Sequence, residues 1–144
     1  MYGLSGQILK IDFNYKLAKK VRRNGRGITF RPYIGMVTIQ NEDGLTVFWK
    51  LLRGSESLKD ITPDLKSLRQ RLESNNLQIL GPNPNPENER HGKILAIYVD
   101  NCCNVCCILQ PLFPFTEIKL DVFHRLQRWN EEMNDNSSKQ AGLF

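Results

Sequence analysis

Residues 93 to 103 read Lys93-Ile94-Leu95-Ala96-Ile97-Tyr98-Val99-Asp100-Asn101-Cys102-Cys103. Six consecutive apolar residues precede a single carboxylate, and an amide side chain able to cap a helix follows it directly. This pattern predicts a buried central strand that presents Asp100 at its carboxyl end, with a helix beginning after it. Asp100 is therefore the first candidate for a catalytic residue.

The segments that precede this strand predict a sheet. In residues 6–13, Ile and Leu residues come just before Asp12 and Phe13 comes just after it, which is typical of a strand. Residues 36–40 and 45–49 are two β-rich runs around a short turn that contains Asp43-Gly44. Such a turn between two β-rich runs predicts an antiparallel hairpin.

The middle of the chain predicts two helices, separated by a loop and by the strand that ends in Asp100. Thr62 is predicted to be the N-cap of a helix with Pro63 in its first turn, and this helix is expected to end near Asn75-Asn76. Residues 81–92 form a polar loop punctuated by proline. The helix after Asp100 is apolar nearly all round, so we expect it to be buried between layers and to end before Pro111.

The last part of the chain predicts one more strand and one more helix. Residues 116–121 are a short strand that ends in Asp121, and a helix with Val122, Leu126 and Trp129 on one face follows. Residues 134–144 turn polar and are expected to be a frayed or disordered tail. At 144 residues and 40% hydrophobic content, the chain fits one domain, which we place at residues 1–133.

The order of these elements defines a fold class. Three antiparallel strands followed by helix-linked parallel strands predict an α/β protein with a mixed sheet and helices on both faces. This order resembles that of the ribonuclease-H-like fold.

Basic residues are concentrated near the N-terminus. The net charge is +5, but residues 1–31 alone have a balance of +7 and the rest of the chain has a balance of −2. A basic segment of this kind suits a polyanionic partner such as DNA, because Lys and Arg side chains that neutralise phosphates release condensed counterions. A solvated basic hairpin that binds nothing specific explains the composition equally well.

Four cysteines lie close together in residues 102–107, which argues against a disulfide framework and for a reducing compartment. A zinc site through Cys103 and Cys106 would need ligands from elsewhere in the chain, and a helix that uses Cys as a small apolar residue is the simpler interpretation. With no apolar run near the roughly 20 residues of a membrane helix and no signal-peptide pattern, we expect a protein that is neither secreted nor bound to a membrane.

Three segments resemble the catalytic core of DDE-type transposases. They are Tyr98-Val99-Asp100-Asn101-Cys102-Cys103, Leu112-Phe113-Pro114 and Ile118-Lys119-Leu120-Asp121-Val122-Phe123-His124, and the opening strand Ile11-Asp12-Phe13-Asn14-Tyr15-Lys16 is similar to the start of that core. Prokaryotic insertion-sequence transposases and eukaryotic transposon-derived proteins share this design. The resemblance covers roughly residues 6 to 130 and implies a truncated ribonuclease-H-like core that acted in DNA transposition.

The resemblance implies a metal site. Asp12 matches the first catalytic acid of the family and Asp100 the second, so both are expected to bind Mg²⁺ or Mn²⁺ for cleavage and strand transfer at a DNA phosphodiester. Taken singly, a turn residue at the end of a strand is the simpler interpretation of Asp12, and a helix cap beside Asn101 is the simpler interpretation of Asp100. Asp121 and His124 match a family signature whose role the sequence does not reveal.

The chain departs from the family at the third acid. A Glu is expected on a later helix, and only Glu131 and Glu132 are present nearby, closer to His124 than the family spacing. The catalytic core would then be incomplete, either a fragment of a longer protein or a decayed remnant. A non-enzymatic nucleic-acid-binding remnant and a protein-interaction module are the alternatives. The candidates for contact with the DNA backbone are Lys16, Lys19, Lys20, Arg22 and Arg23. The resemblance also implies a nuclear protein in a eukaryote or a cytoplasmic one in a prokaryote, and it is compatible with a homo-oligomer.

Overall fold

The structure contains the predicted strands and helices with adjusted bounds. The computed structural model describes residues 4–15, 23–25, 27–30, 32–53, 57–100, 102–122, 126, 129–130 and 133. In chain order its elements are β1 (Ile8–Asn14), β2 (Arg23–Gly25), β3 (Ile28–Phe30), β4 (Tyr33–Asn41), β5 (Thr46–Arg53), α1 (Thr62–Leu80), β6 (Ala96–Val99), α2 (Cys102–Leu112) and β7 (Glu117–Leu120). Residues 122, 126, 129, 130 and 133 are also helical, where the sequence predicts a helix, and the predicted tail lies outside the described residues.

The antiparallel half of the main sheet is built on the predicted hairpin. Gly44 adopts a φ of 74°, and its N–H donates to the carbonyl of Asn41 at 3.0 Å, so the chain reverses between β4 and β5. β4 pairs antiparallel with β5 on one side and with β1 on the other. Apart from this sheet, β2 and β3 form a two-stranded ribbon within the basic N-terminal segment.

The parallel half of the sheet extends from β1. β6 pairs parallel with β1, and β7 pairs parallel with β6, which gives the strand order β5-β4-β1-β6-β7. Parallel neighbours need long crossover connections, and α1 and α2 supply them. Three antiparallel strands followed by two parallel strands are the topology of the ribonuclease-H-like fold, so the predicted α/β class and mixed sheet are confirmed. The prediction of helices on both faces is not met by the described helices α1 and α2, because the side chains of both pack in one cluster on the same face of the sheet.

One face of the sheet packs on the two helices. Alternate residues of the central strands are almost completely buried, and they form one cluster with side chains of α1 and α2. The cluster includes Leu9, Ile11, Val37, Ile39, Ile97 and Val99 from the strands, Leu65, Leu68 and Leu72 from α1, and Val105 and Leu109 from α2. Full burial of one such side chain contributes about 1.5–3 kcal/mol, so this cluster is the main source of stability.

The opposite side of the sheet is called the second face. Because successive strand residues point to opposite faces, the neighbours of the core residues lie there. The second face includes Lys10 and Asp12 in β1, Thr38 in β4, Trp49 in β5 and Tyr98 in β6.

The predicted bounds of α1 were wrong at both ends. Ile61 is the N-cap and Thr62 is already helical, without a side-chain cap. The helix continues past Asn76 to Leu80, because Asn76 is buried and its amide bonds with backbone groups of Gly6 and Gly92 instead of breaking the helix. The N–H of Gly81 then donates to the carbonyl of Leu77 at 3.0 Å.

The predictions for α2 and β6 also need correction. α2 includes Pro111 in its last turn and ends at Leu112, and the N–H of Phe113 still donates to the carbonyl of Leu109 at 2.9 Å. The helix is not buried on every side, because Cys107 is exposed while Leu109 is fully buried. β6 is shorter than the apolar run that predicts it, although Ile94 just before it is fully buried. Within the described ranges, no helix combines the length and the apolar character needed to cross a membrane.

Candidate active site

Asp12 lies near the carboxyl end of β1 on the second face. Its neighbours Ile11 and Phe13 pack in or against the core cluster, and strand alternation therefore directs Asp12 to the other side. The side chain is half-buried. Across the β1–β4 pair its direct partner is Thr38.

Asp100 directly follows β6, the parallel neighbour of β1. The register of this pair aligns Ile11 with Val99, so Asp12 and Asp100 are the next residues of the two strands. Adjacent strands lie about 4.8 Å apart, and side chains at matching positions of parallel strands point to the same face. The two acids that the sequence singles out thus occupy neighbouring positions at the carboxyl ends of adjacent strands, with the Oδ1 atom of Asp100 buried.

Asp121 extends this row to a third strand. The register of β6 with β7 aligns Val99 with Leu120, and Asp121 follows Leu120. The N–H of Asp121 donates to the carbonyl of Val99 at 2.8 Å. Its buried carboxylate forms an ion pair with Lys10, with 3.1 Å between Nζ and Oδ2. Asp121 therefore lies beside the two candidate acids but is held by a cation of the protein itself.

A cavity of about 200 Å³ adjoins this ion pair, but neither Asp12 nor Asp100 lines it. The lining residues are Ile8, Leu9, Lys10, Asn41, Glu42, Tyr98 and Asp121. The Glu42 carboxylate at its edge accepts hydrogen bonds from the backbone N–H groups of Gln7 and Ile8 at 3.2–3.3 Å. The cavity is thus separate from the pair of acids, although it shares the second face with them.

The second face carries further charges on β7. Lys119, which aligns with Tyr98 across the β6–β7 pair, forms an ion pair with Glu117 at 2.9 Å. The hydrogen bond and the charge of Lys119 lower the pKa of Glu117, and the same pair raises the pKa of Lys119. Both side chains are exposed, so this pair affects the local charge more than the stability.

The carboxylates of Asp12 and Asp100 are suitable ligands for a hard cation, but they are only two. Carboxylate oxygens are the ligands that Mg²⁺ and Mn²⁺ prefer, and two acids on adjacent strands would both reach one ion. Among the described residues, however, no group of three or more His, Cys, Asp or Glu side chains is arranged to hold a metal ion. Glu131 and Glu132, the weak candidates for a third ligand, lie outside the described residues.

Most of the other predicted site residues also lie outside the described part of the chain. These are Lys16, Lys19, Lys20, Arg22 and His124. Arg23 is in β2, where its backbone pairs with Phe30. Of the cysteines considered for zinc, Cys103 lies in α2 and Cys106 is half-buried.

Two residues of the second face were missed by sequence reasoning. In the sequence, Lys10 is one of several basic residues near the N-terminus, and its ion pair with Asp121 follows from a register that spans three strands. Trp49 belongs to the predicted hairpin, and in the structure it is 63% exposed and is aligned with Asp12 through Thr38, the strand residue that pairs with both. Strand alternation in residues 45–49 indicates that Trp49 and Phe48 face opposite sides, but not which side is buried.

The fold and the pair of acids define an α/β protein of ribonuclease-H-like topology with two carboxylates at the carboxyl ends of its central parallel strands. No model of a protein family matches the chain, and no curated protein and no solved structure matches it.

Proposed function

We propose that this chain is a transposase-derived catalytic core, with Asp12 and Asp100 as the metal-binding acids for DNA cleavage and strand transfer. The observation that carries the proposal is the β1–β6 register, which aligns Ile11 with Val99 and so makes the two acids neighbours. The ribonuclease-H-like strand order supports it, because the two acids then lie at adjacent carboxyl ends of the sheet.

The acidic and the basic residues of the chain would have different roles in this function. Asp12 and Asp100 would hold Mg²⁺ or Mn²⁺, which when bound would activate a water or 3′-hydroxyl and stabilise the leaving oxygen. The half-buried position of both acids limits competition from water. The basic residues that follow Asp12 in the sequence, including Lys16, Lys19 and Lys20, would attract the DNA backbone.

Calorimetry with Mn²⁺ tests the proposal directly. We expect the protein to bind Mn²⁺, and Asp12→Asn or Asp100→Asn to weaken this binding by about tenfold or more, since each removes a ligand charge. Asp43→Asn is the matched control, because Asp43 is an exposed acid in the β4–β5 turn. Mn²⁺ binding that is unchanged in both site variants, with circular dichroism confirming the fold, would refute the proposal.

A second candidate is a nucleic-acid-binding protein without catalytic activity. It is favoured by the ion pair between Lys10 and Asp121, which engages the third acid of the row, and by the lack of a three-ligand group among the described residues. In this case the protein binds DNA in a salt-dependent manner without Mn²⁺ and keeps this binding in Asp100→Asn. Neutralising Lys19, Lys20, Arg22 and Arg23 together then weakens the binding and reduces its salt dependence.

A further inference from the structure

Trp49 is exposed in the middle of a strand. Large aromatic side chains bury most of their surface in folded proteins, but 63% of Trp49 is accessible, although it lies in an eight-residue strand. Its neighbours Phe48 and Lys50 face the helix side, where Phe48 packs against the core and Lys50 binds Asp64 of α1 at 2.8 Å. The indole therefore projects from the second face.

The register connects Trp49 to the candidate acids. Thr38 pairs with Asp12 on one side and with Trp49 on the other, and directly opposed residues of antiparallel strands share a face. Trp49, Thr38 and Asp12 thus form one transverse row, which Asp100 continues on the next strand. With about 4.8 Å between strands, the backbone of Trp49 lies roughly 10 Å from that of Asp12.

A second aromatic group and a cation continue this surface along β5. Arg53 is four residues after Trp49 and therefore on the same face, roughly 13 Å away along the strand. Its guanidinium lies over the ring of Tyr33, its cross-strand partner in β4, at 5.6 Å from the ring centroid. The second face of β4 and β5 thus combines an exposed indole with an arginine supported by an aromatic ring.

We propose that this surface, named the β5 platform and consisting of Trp49, Arg53 and Tyr33, binds single-stranded DNA beside the two acids. Trp49 stacks on an exposed base, and Arg53 contacts a backbone phosphate. The inference rests on the proposed function, because the row that contains Trp49 ends at the acids proposed to act on a phosphodiester. A single strand fits better than a duplex, since an indole face can stack only on a base whose own face is accessible. The cationic character of Arg53 and of residues 1–31 complements the negative charge of the strand.

The chain contains two tryptophans, which allows each to be observed alone. In Trp129→Phe, Trp49 is the sole indole, and titration with a short single-stranded oligonucleotide in EDTA is expected to quench its fluorescence. In Trp49→Phe, the remaining Trp129 is equally exposed and serves as the matched control, whose emission is expected to change little. Heparin, which supplies negative charge without bases, is expected to leave Trp49 emission unchanged.

Affinity measurements separate stacking from charge. Trp49→Ala is expected to weaken binding of the oligonucleotide by at least about fivefold, whereas Trp49→Phe keeps most of it and Trp129→Ala keeps all of it. The dependence of the affinity on salt concentration remains the same in Trp49→Ala, because no phosphate contact is lost. Arg53→Met is expected to reduce that dependence.

Three results would overturn the inference: no quenching of Trp49 by the single strand, equal quenching by heparin, or an emission of Trp49 that changes with protein concentration in the absence of DNA. The last would identify the surface as a contact between two copies of the chain. These measurements are made without metal, so they are independent of the Mn²⁺ test. If the protein does not bind Mn²⁺ but the single strand quenches Trp49 fluorescence, only the catalytic proposal is rejected. If the protein binds Mn²⁺ through the two acids but Trp49 fluorescence is not quenched, only the β5 platform is rejected.

Discussion

Replacing Asn76 with alanine tests how the start of β1, the strand of Asp12, is held in place. Asn76 lies inside α1 and is only 2% exposed. Its Oδ1 accepts a hydrogen bond from the N–H of Gly6 at 2.9 Å, and its Nδ2 donates to the carbonyls of Gly6 at 2.8 Å and of Gly92 at 3.1 Å. One side chain thus joins α1, the chain entering β1 and the end of the loop before β6.

The cost of Asn76→Ala follows from these contacts. Each lost hydrogen bond costs about 1 kcal/mol, and the backbone groups of Gly6 and Gly92 are left without this partner in a buried place. Alanine recovers about 0.5 kcal/mol through its higher helix propensity. We therefore expect the free energy of unfolding to fall by about 2.5 kcal/mol.

Urea unfolding followed by circular dichroism measures this loss, with Asn75→Ala as the control. Asn75 is the adjacent residue of the same type and makes an exposed hydrogen bond, in which its Nδ2 donates to the carbonyl of Leu4 at 2.7 Å. Its replacement is expected to cost less than about 1 kcal/mol. If Asn76→Ala costs no more than Asn75→Ala at equal urea dependence, the role assigned to Asn76 is wrong.

Two further substitutions test local features of the structure. Gly92→Ala is expected to cost more than about 2 kcal/mol in urea unfolding, because Gly92 has a φ of 73° and an added Cβ would come within 2.5 Å of the side chain of Leu77. Gly44→Ala, with a similar φ and no atom within 4 Å of the added Cβ, should cost only about 1–2 kcal/mol, and equal losses would contradict the packing argument. Lys119→Met is expected to raise the pKa of Glu117 toward its ordinary value of 4.5, because the ammonium stabilises the ionised carboxylate. Since the pKa of Glu117 is lowered in the folded protein, the small contribution of this exposed pair to stability is present above the ordinary pKa and is lost as the pH falls through the lowered value. An NMR titration of Glu117 that is the same in both proteins would refute the role assigned to Lys119.

Local sequence patterns were sufficient to predict most of the sheet. Alternation of apolar residues and the Asp43-Gly44 turn act over a few residues, so the hairpin could be predicted without any long-range contact. The order of strands and helices then restricts the topology, since parallel strands need crossover helices. The ribonuclease-H-like order of the sheet agrees with these two rules, but the position of β1 between β4 and β6 depends on long-range pairing.

The ends of the helices could not be predicted in the same way. Asn75-Asn76 is a typical place for a helix to end, but Asn76 is satisfied by Gly6, seventy residues away in the chain. Pro111 is expected to stop a helix, yet it lies within the last turn of α2. In both cases a contact or position in the folded chain outweighs a local preference.

The positions of the two candidate acids could be predicted from the sequence, but the residues around them could not. Asp12 and Asp100 stand out because each is a carboxylate at or near the end of an apolar run, and the register makes them neighbours. The ion pair of Lys10 with Asp121 and the position of Trp49 depend on how five strands align, which no single strand encodes. These residues connect the candidate site to the rest of the second face.

The central claim is that Asp12 and Asp100 hold the same metal ion, and a double-mutant cycle of Mn²⁺ binding tests it most directly. The free energy of Mn²⁺ binding is measured by calorimetry for the unchanged protein, Asp12→Asn, Asp100→Asn and the double variant. If both acids bind one ion, the loss in the double variant is clearly smaller than the sum of the two single losses. Additive losses, or no loss in either single variant, would contradict the claim.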